Sequence, residues 1–482
     1  MEHPKRDETL TEDTPAPRAP TTDRRAWLIH IGSSENGFVE AGRILKLEDI
    51  RSVRFGRVSG SAEGLQVERA GSVLHVGIPL GWVSSAHAEL RVVPAADHYE
   101  FDLRDLGSRN GTHIERQAVP GIARLLPGQV FEIGRSFWMV REVDDKSLPA
   151  ERIATLDAVG TSNPALASVH RRLAMLAESD VPLLLRGETG TGKEITARAI
   201  HRISGRKGKF IAANLSAMTD DRADAILFGR GTSGDASARP GLFEQANGGT
   251  LFLDELGELP PTIQTKLLAA VTEGRITREG EVEPRNFDVR VICSALGDVH
   301  ALVQSGTFRP DLYSRLAGYE AMLPPLRSRR EDLGMLTASM LRQRKGAEVT
   351  LMTRAFRRVL NYRWPYNIRE LQQTLGTTAI LAGTGGEISR HVLDEILERR
   401  ADMPQTPDSV YELRNQLVHE LMRNAGDTSK VAKALDREPK EIARWLERFD
   451  LDPETYRNAG DPNPGPVDLD TTMAETSIPG KD

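Results

Sequence analysis

The residues with the plainest chemistry are Gly187-Glu188-Thr189-Gly190-Thr191-Gly192-Lys193-Glu194. An apolar run from Val181 to Leu185 leads in and a helix-like segment from Glu194 to Ile200 leads out, giving strand, glycine loop, helix. Glycines there let successive backbone N–H groups curl around phosphate oxygens, and the helix N-terminus adds its positive end. Lys193 would reach the outer phosphates. One position departs from the general pattern, because Glu194 stands where Ser or Thr usually holds magnesium. A second stretch, Gly248 to Glu255, is a buried-strand pattern that ends in two carboxylates. Asp254 would hold magnesium through water, and Glu255 would polarise the attacking water. Together the two stretches point to ATP and Mg2+.

The elements that must position these residues belong to a long chain. At 482 residues it exceeds one hydrophobic core, and about three domains are expected. Lys and Arg number 63 against 69 Asp and Glu, a net charge of -6, so any DNA-binding surface must be local. The single cysteine, Cys293, excludes a disulfide framework and a cysteine-based zinc site. It sits in the strand-like run Val289 to Cys293 and reads as a small buried hydrophobe. Met1 to Asp7 offer no apolar core for a signal peptide, and no apolar run is long enough to span a bilayer. A cytoplasmic protein without a membrane partner is expected.

In order, residues 1–25 are rich in Pro, Thr, Asp and Arg and read as a disordered arm. Short alternating strands broken by Gly, Pro, Ser and Asn predict a β-sandwich over 26–143. A charged linker, 144–156, leads to an α/β core over 157–328 and a helical lid over 329–399. A polar linker, 400–408, precedes a small all-α segment over 409–457, and 458–482 read as a disordered tail. The fold class is therefore multidomain α/β.

Within the sandwich segment, Phe55-Gly56-Arg57, Ser84-Ser85-Ala86-His87 and Asp105 to Thr112 resemble, in order and spacing, the forkhead-associated (FHA) domain. That resemblance implies recognition of a phosphothreonine protein, with Arg57 and Ser84 on the phosphate, Asn110 on the peptide backbone and Ser108 in the same loop set. Gly56 and His87 match structural positions of the family. An arginine with neutral donors suits a dianionic phosphate. Ser85 stands where a second basic residue is common, and Arg109 replaces a usual Thr or Ser. An FHA fold used only for docking within the chain is the alternative.

Residues from about Asp157 to Arg399 resemble the AAA+ domain of sigma-54-dependent transcription activators. The carrying stretches are Gly187 to Glu194, Phe243 to Glu255, Thr307 to Leu316 and Trp364 to Leu371. Glu194 in place of Ser or Thr is itself typical of that family. The resemblance implies that Asn214 pairs with the catalytic glutamate as a switch, and that Arg309 and Arg315 are donated to the neighbouring subunit's nucleotide. It also implies that Arg369 touches the bound phosphates from the lid. Arginines given in trans force a head-to-tail ring, a hexamer in the family. Two stretches depart from it. Leu227 to Gly241 lacks the Phe-Thr pair of the family's sigma-contacting loop, and Ala295-Leu296 stands where a Thr-Asn pair is usual. Leucine cannot donate a hydrogen bond to water or phosphate.

The segment Asp427 to Leu435, then Pro439 to Phe449, resembles the family's Fis-type helix-turn-helix. Lys430, Lys433, Lys440 and Arg444 could face promoter or enhancer DNA, while Glu438, Glu441 and Glu447 oppose it. The resulting expectation is an ATP-dependent transcription regulator with an FHA sensor and sigma-54 holoenzyme as the family partner. A nucleotide-gated adaptor or repressor, or a phosphoprotein-binding scaffold, are the alternatives; ATP turnover separates the first reading from both, and a salt titration of DNA binding separates those two.

Overall fold

Residues Arg25–Gly32 are apolar almost without a break, and the strand they form is buried at all but its first position. Strand side chains alternate, so such a strand must be covered on both faces. Ala26 and Leu28 enter the core between the two sheets of a sandwich, whereas Trp27, Ile29 and Ile31 point to the rest of the protein. Its antiparallel partner, Ser136–Val143, repeats the pattern: Trp138 and Val140 go inward, and Phe137 and Met139 go outward.

The structure, a computed structural model, describes residues 24–58, 64–95, 98–144, 160–218, 220–231, 238–296, 299–343, 349–383 and 385–401. Beyond these it describes 417, 420–421, 424, 426–435, 437, 439–448, 451 and 453. Residues 1–23 of the expected arm, the tail, residues 145–156 of the first linker and 402–408 of the second lie outside the described residues. The sandwich opens at Arg25, and the last lid helix continues to Ala401, two residues beyond the expected boundary.

Among the described residues the sandwich is two six-stranded sheets, and Phe55 joins them by packing edge-on against Trp138 and Phe131. The main sheet of the α/β core has, among the described residues, five parallel strands, ordered Phe210–Asn214, Thr250–Asp254, Arg290–Ala295, Leu183–Arg186 and Tyr319–Met322. Leu183–Arg186, the strand before the glycine loop, lies between two others, which accounts for its unbroken leucines. Helix Pro164–Met175 begins on Asn163, whose side chain accepts from Leu166 N, with proline at the first helical position. Among the described residues the lid is four helices, Leu333–Arg342, Thr353–Asn361, Asn367–Ala382 and Arg390–Ala401.

Sandwich, core and lid form one compact unit within Met1–Asp402. Ile31, Phe38, Phe137 and Met139 share a core with Leu326, at the entry of the lid, and with Leu333 and Phe356 of the lid itself. Phe356 meets Phe38 edge-on at 4.7 Å and Phe137 at 5.2 Å between ring centres. Helix Leu333–Arg342 passes so close that a Cβ on Gly334 would lie 1.7 Å from the Ile31 carbonyl oxygen.

The second unit, Met403–Asp482, holds helices Thr428–Ala434 and Pro439–Arg448 around Leu417, Leu421, Val431, Ile442 and Leu446. Asp427 caps the first of these by accepting from Ser429 N and Lys430 N. Among the described residues no helix is long and apolar enough to cross a membrane.

Candidate nucleotide site

Gly187, Gly190 and Gly192 hold φ values of +148°, +78° and +106°, a region that favours glycine. Gly190 is the most constrained, since a Cβ there would sit 2.2 Å from the Tyr366 carbonyl oxygen and 3.0 Å from Arg369 Cβ. The lid thus lies directly on the loop, and Ile368 N donates to Gly190 O at 2.9 Å. Lys193 opens the helix that follows and is buried; its Nζ donates to Gly187 O and Glu188 O at 2.7 and 3.0 Å. Thr191 Oγ1 closes the loop by donating to Glu188 O at 2.8 Å. Glu194 faces outward and accepts from Arg198, one turn on, and Thr189 contributes its carbonyl to Asn367 Nδ2 at 2.9 Å.

Three lid-side residues grip this loop, and the sequence reading assigned none of them. Arg327 donates from both terminal nitrogens to the Glu188 carboxylate at 2.7 and 2.6 Å. Asn367 Nδ2 adds a third bond to Glu188 at 3.0 Å, and Arg329 donates to Thr191 O at 2.8 Å. Asn367 is wholly buried with φ +53°. Its side-chain oxygen also accepts from Leu326 N at 2.7 Å. One amide therefore ties the loop to the entry of the lid. A carboxylate inside a glycine loop, which cannot itself face phosphate oxygens favourably, was the available signal.

The acidic pair ends the buried strand Thr250–Asp254, with Glu255 held at φ +63°. Ser294, on the adjacent strand, donates its hydroxyl to Asp254 and accepts from Glu255 N at 3.3 Å. Ser294 thus orients the Asp254 carboxylate and fixes the backbone at Glu255, and it was not foreseen. Asn214 lies opposite Asp254 in the parallel register, but its Oδ1 accepts from Ser216 N and Oγ at 2.9 and 2.7 Å. The structure thus does not bring Asn214 into a described bond with Glu255. Leu296 is half-buried just past the strand end.

Arg309 and Arg315 are exposed on the face of the core. Arg309 donates to both oxygens of Asp311 at 3.0 and 2.7 Å, and those bonds hold the Asp311 carboxyl down at about 2. Arg315 donates to the Val271 carbonyl at 3.4 Å, and Arg369 is exposed beside Gly190.

In the sandwich, loops far apart in sequence converge. Arg57 ends its strand exposed, Ser84 Oγ accepts from Arg109 N at 3.0 Å, and Asn110 Nδ2 donates to Trp82 O at 2.7 Å. Ser108 instead turns inward, giving its N–H and hydroxyl to Asp105 at 2.8 and 2.7 Å. The structural positions behave as such: His87 is buried between Ser84 N and Gly111 O, and a Cβ on Gly56 would meet Ser85 O at 2.1 Å. In the second unit, Lys430, Lys433, Lys440 and Arg444 are exposed, and Lys430 pairs with Asp427 at 3.4 Å. Glu438 lies outside the described residues, and nothing is described of the side chains of Glu441 and Glu447.

Comparison with known families bears on this geometry. Residues 159–321 match the sigma-54 interaction domain. Residues 327–409 match the AAA+ ATPase lid domain and residues 53–134 the FHA domain. The chain is thus similar, segment by segment, to an FHA domain, a sigma-54 interaction domain and an AAA+ lid. The chain is 41% identical over 238 residues to the nitric oxide reductase transcription regulator NorR2 of Cupriavidus necator, covering 48% of this chain and 46% of that one. To the regulator NtrC of Salmonella typhimurium it is 38% identical, covering 53% and 55%, and to the Nif-specific regulatory protein of Rhodobacter capsulatus 37%, covering 65% and 56%. The chain thus spans about half the length of these curated relatives. The crystal structure of NtrX from Brucella abortus aligns over 60% of this chain and 68% of that one, at 26% identity and a TM-score of 0.46.

Proposed function

We propose that this chain binds ATP with magnesium on the Gly187–Glu194 loop and uses it, as a homo-oligomeric ring, to regulate transcription. The observation that carries the reading is the buried Lys193 amine within a loop of three left-handed glycines, closed over by a lid that brings Arg369 beside it. Magnesium suits Asp254, the acid at the end of the core strand, and the metal would neutralise phosphate charge there. Glu255 would orient water, and Arg309 and Arg315, exposed on the core, would serve the neighbouring subunit's nucleotide. Asn214 would act as the switch only after leaving Ser216. Arg57, Ser84 and Asn110 would receive a phosphothreonine protein, with Ser108 shaping the loop, and the second unit's basic residues would meet promoter or enhancer DNA. The family partner is the sigma-54 holoenzyme.

A second reading makes the chain a nucleotide-gated adaptor or repressor that binds DNA without activating that polymerase. It is favoured by Leu227 to Gly241, which has no Phe-Thr pair, and by Leu296 at the expected sensor position. Ordering a Gly-, Ser- and Asp-containing loop costs freedom and buries little apolar area in return. Turnover measured against protein concentration separates the readings. Turnover per subunit that rises with concentration and vanishes in Glu255→Ala supports the ring ATPase. Bound ATP with no turnover at any concentration supports the adaptor, as does absence of ATP-dependent open complexes with sigma-54 holoenzyme in vitro.

A further inference from the structure

The six residues 327–332 touch the nucleotide loop and the FHA sandwich in turn. Arg327 holds Glu188 and Arg329 holds the Thr191 carbonyl, both on the loop. The next two residues face the other way. Arg330 donates to both oxygens of Glu115 at 2.8 and 3.1 Å, and Glu331 accepts from Arg141 Nε and a terminal nitrogen at 2.9 and 2.8 Å. Asp332 then accepts from Thr161 Oγ1 and Ser162 N, each at 2.7 Å.

Resting on the nucleotide reading above, we propose that Arg141 and Glu115 of the sandwich are positioning residues for the ATP site, acting through this segment. The segment folds as two short 3-10 turns, Leu326–Ser328 and Arg330–Asp332, with Arg329 as the cap shared between them, so a shift of one turn is passed to the other through Arg329. Glu331 is wholly buried, and Arg141 with Asn163 Nδ2 supplies its described hydrogen bonds. A buried carboxylate that loses its cation is strongly destabilised unless it can reach water or another donor. The relief open to Glu331 is a shift of its own turn, and that shift moves Arg327 and Arg329 relative to the loop. The sandwich therefore sets nucleotide affinity without touching nucleotide, and anything that reorients it is felt at Gly187–Lys193. Affinity coupling of this kind is reciprocal.

The test uses the full chain and titration with a fluorescent ATP analogue and magnesium, beside thermal melts. Arg141→Met is expected to weaken binding by about tenfold, Arg141→Lys by less, and the rim variant Glu115→Gln by about threefold. Arg124→Met, whose ion pairs to Glu100 and Asp102 stay within the sandwich, is expected to bind as the parent does. A lowered melting temperature in Arg141→Met with unchanged affinity would show a merely structural joint and overturn the proposal. If Arg141→Met fails to fold, Glu115→Gln decides, and parental affinity there overturns it equally. A parent chain that binds no nucleotide would instead sink the reading of the site itself.

Discussion

The two anion sites inferred here, the glycine loop and the FHA face, are built on opposite principles. The loop is continuous in sequence, its lysine is buried, and a second body presses on it through Tyr366, Ile368 and Asn367. The FHA face draws Arg57, Ser84 and Asn110 from separate loops, and each of the three is wholly or partly open to solvent. A site of the first kind changes affinity when its cover moves; a site of the second kind is limited by the side chains that contact the ligand. The contrast teaches where regulation can enter, because the body that covers the loop is itself packed on the sandwich that bears the second site.

The contrast breaks first at Phe356, which two sandwich aromatics meet edge-on. Phe356→Ala should cost about 3–5 kcal/mol and let sandwich and lid melt separately. A single calorimetric transition at the parental temperature would show that the two bodies do not share a core. On the FHA face, removal of one charge-assisted contact should dominate. Arg57→Ala is expected to weaken a phosphothreonine peptide selected from a degenerate library by about 1.5–3 kcal/mol, with nucleotide affinity unchanged. Equal retention of phosphorylated and unphosphorylated peptides by the parent protein would leave docking within the chain as the domain's use. Gly334→Ala is a sharper probe of the same seam, because the added methyl meets backbone rather than a yielding side chain. It should cost about 1–3 kcal/mol, read by chemical denaturation.

The smallest expected effect is one of pH. Burial lowers His30 to about 4 and His170 to about 4, so both are neutral in the folded chain and charge more readily once unfolded. Folded values below unfolded ones mean stability is full above about pH 6.5 and is lost as pH falls toward 4. Asp332 opposes this, since burial lifts it to about 6 and its folded form takes up a proton first, gaining relative stability as pH falls through that value. Burial lowers His87 and His201 as well, so the histidines outweigh the one aspartate and a net loss is expected between pH 6.5 and 5, on the order of 1 kcal/mol per pKa unit at His30 and at His170. His170→Gln should flatten the profile, and an unchanged slope would remove His170 from it.

The glycine loop and the acidic strand end were legible because each is a short contiguous pattern whose chemistry is local, whereas the roles of Arg309 and Arg315 came only from the family resemblance. The sandwich and its FHA loops were legible from spacing, although Ser108 builds its loop through Asp105 rather than facing a ligand. The seam between sandwich and lid was not read, for a physical reason: its contacts pair residues such as Arg141 with Glu331, or Phe38 with Phe356, that no local pattern joins. Two signals were nonetheless present. Trp27, Ile29 and Ile31 are apolar where a sandwich strand should meet water, and Gly334 sits inside a helix where glycine costs about 1 kcal/mol. Ser294 escaped notice because it reaches Asp254 only through parallel strand pairing.

The central claim, that ATP binds on this loop through Lys193, is tested most directly by calorimetric titration of ATP and magnesium into the full chain and into Lys193→Ala. Saturable binding to the parent protein and none to a folded Lys193→Ala is the predicted result. Equal affinity in the two proteins would contradict it.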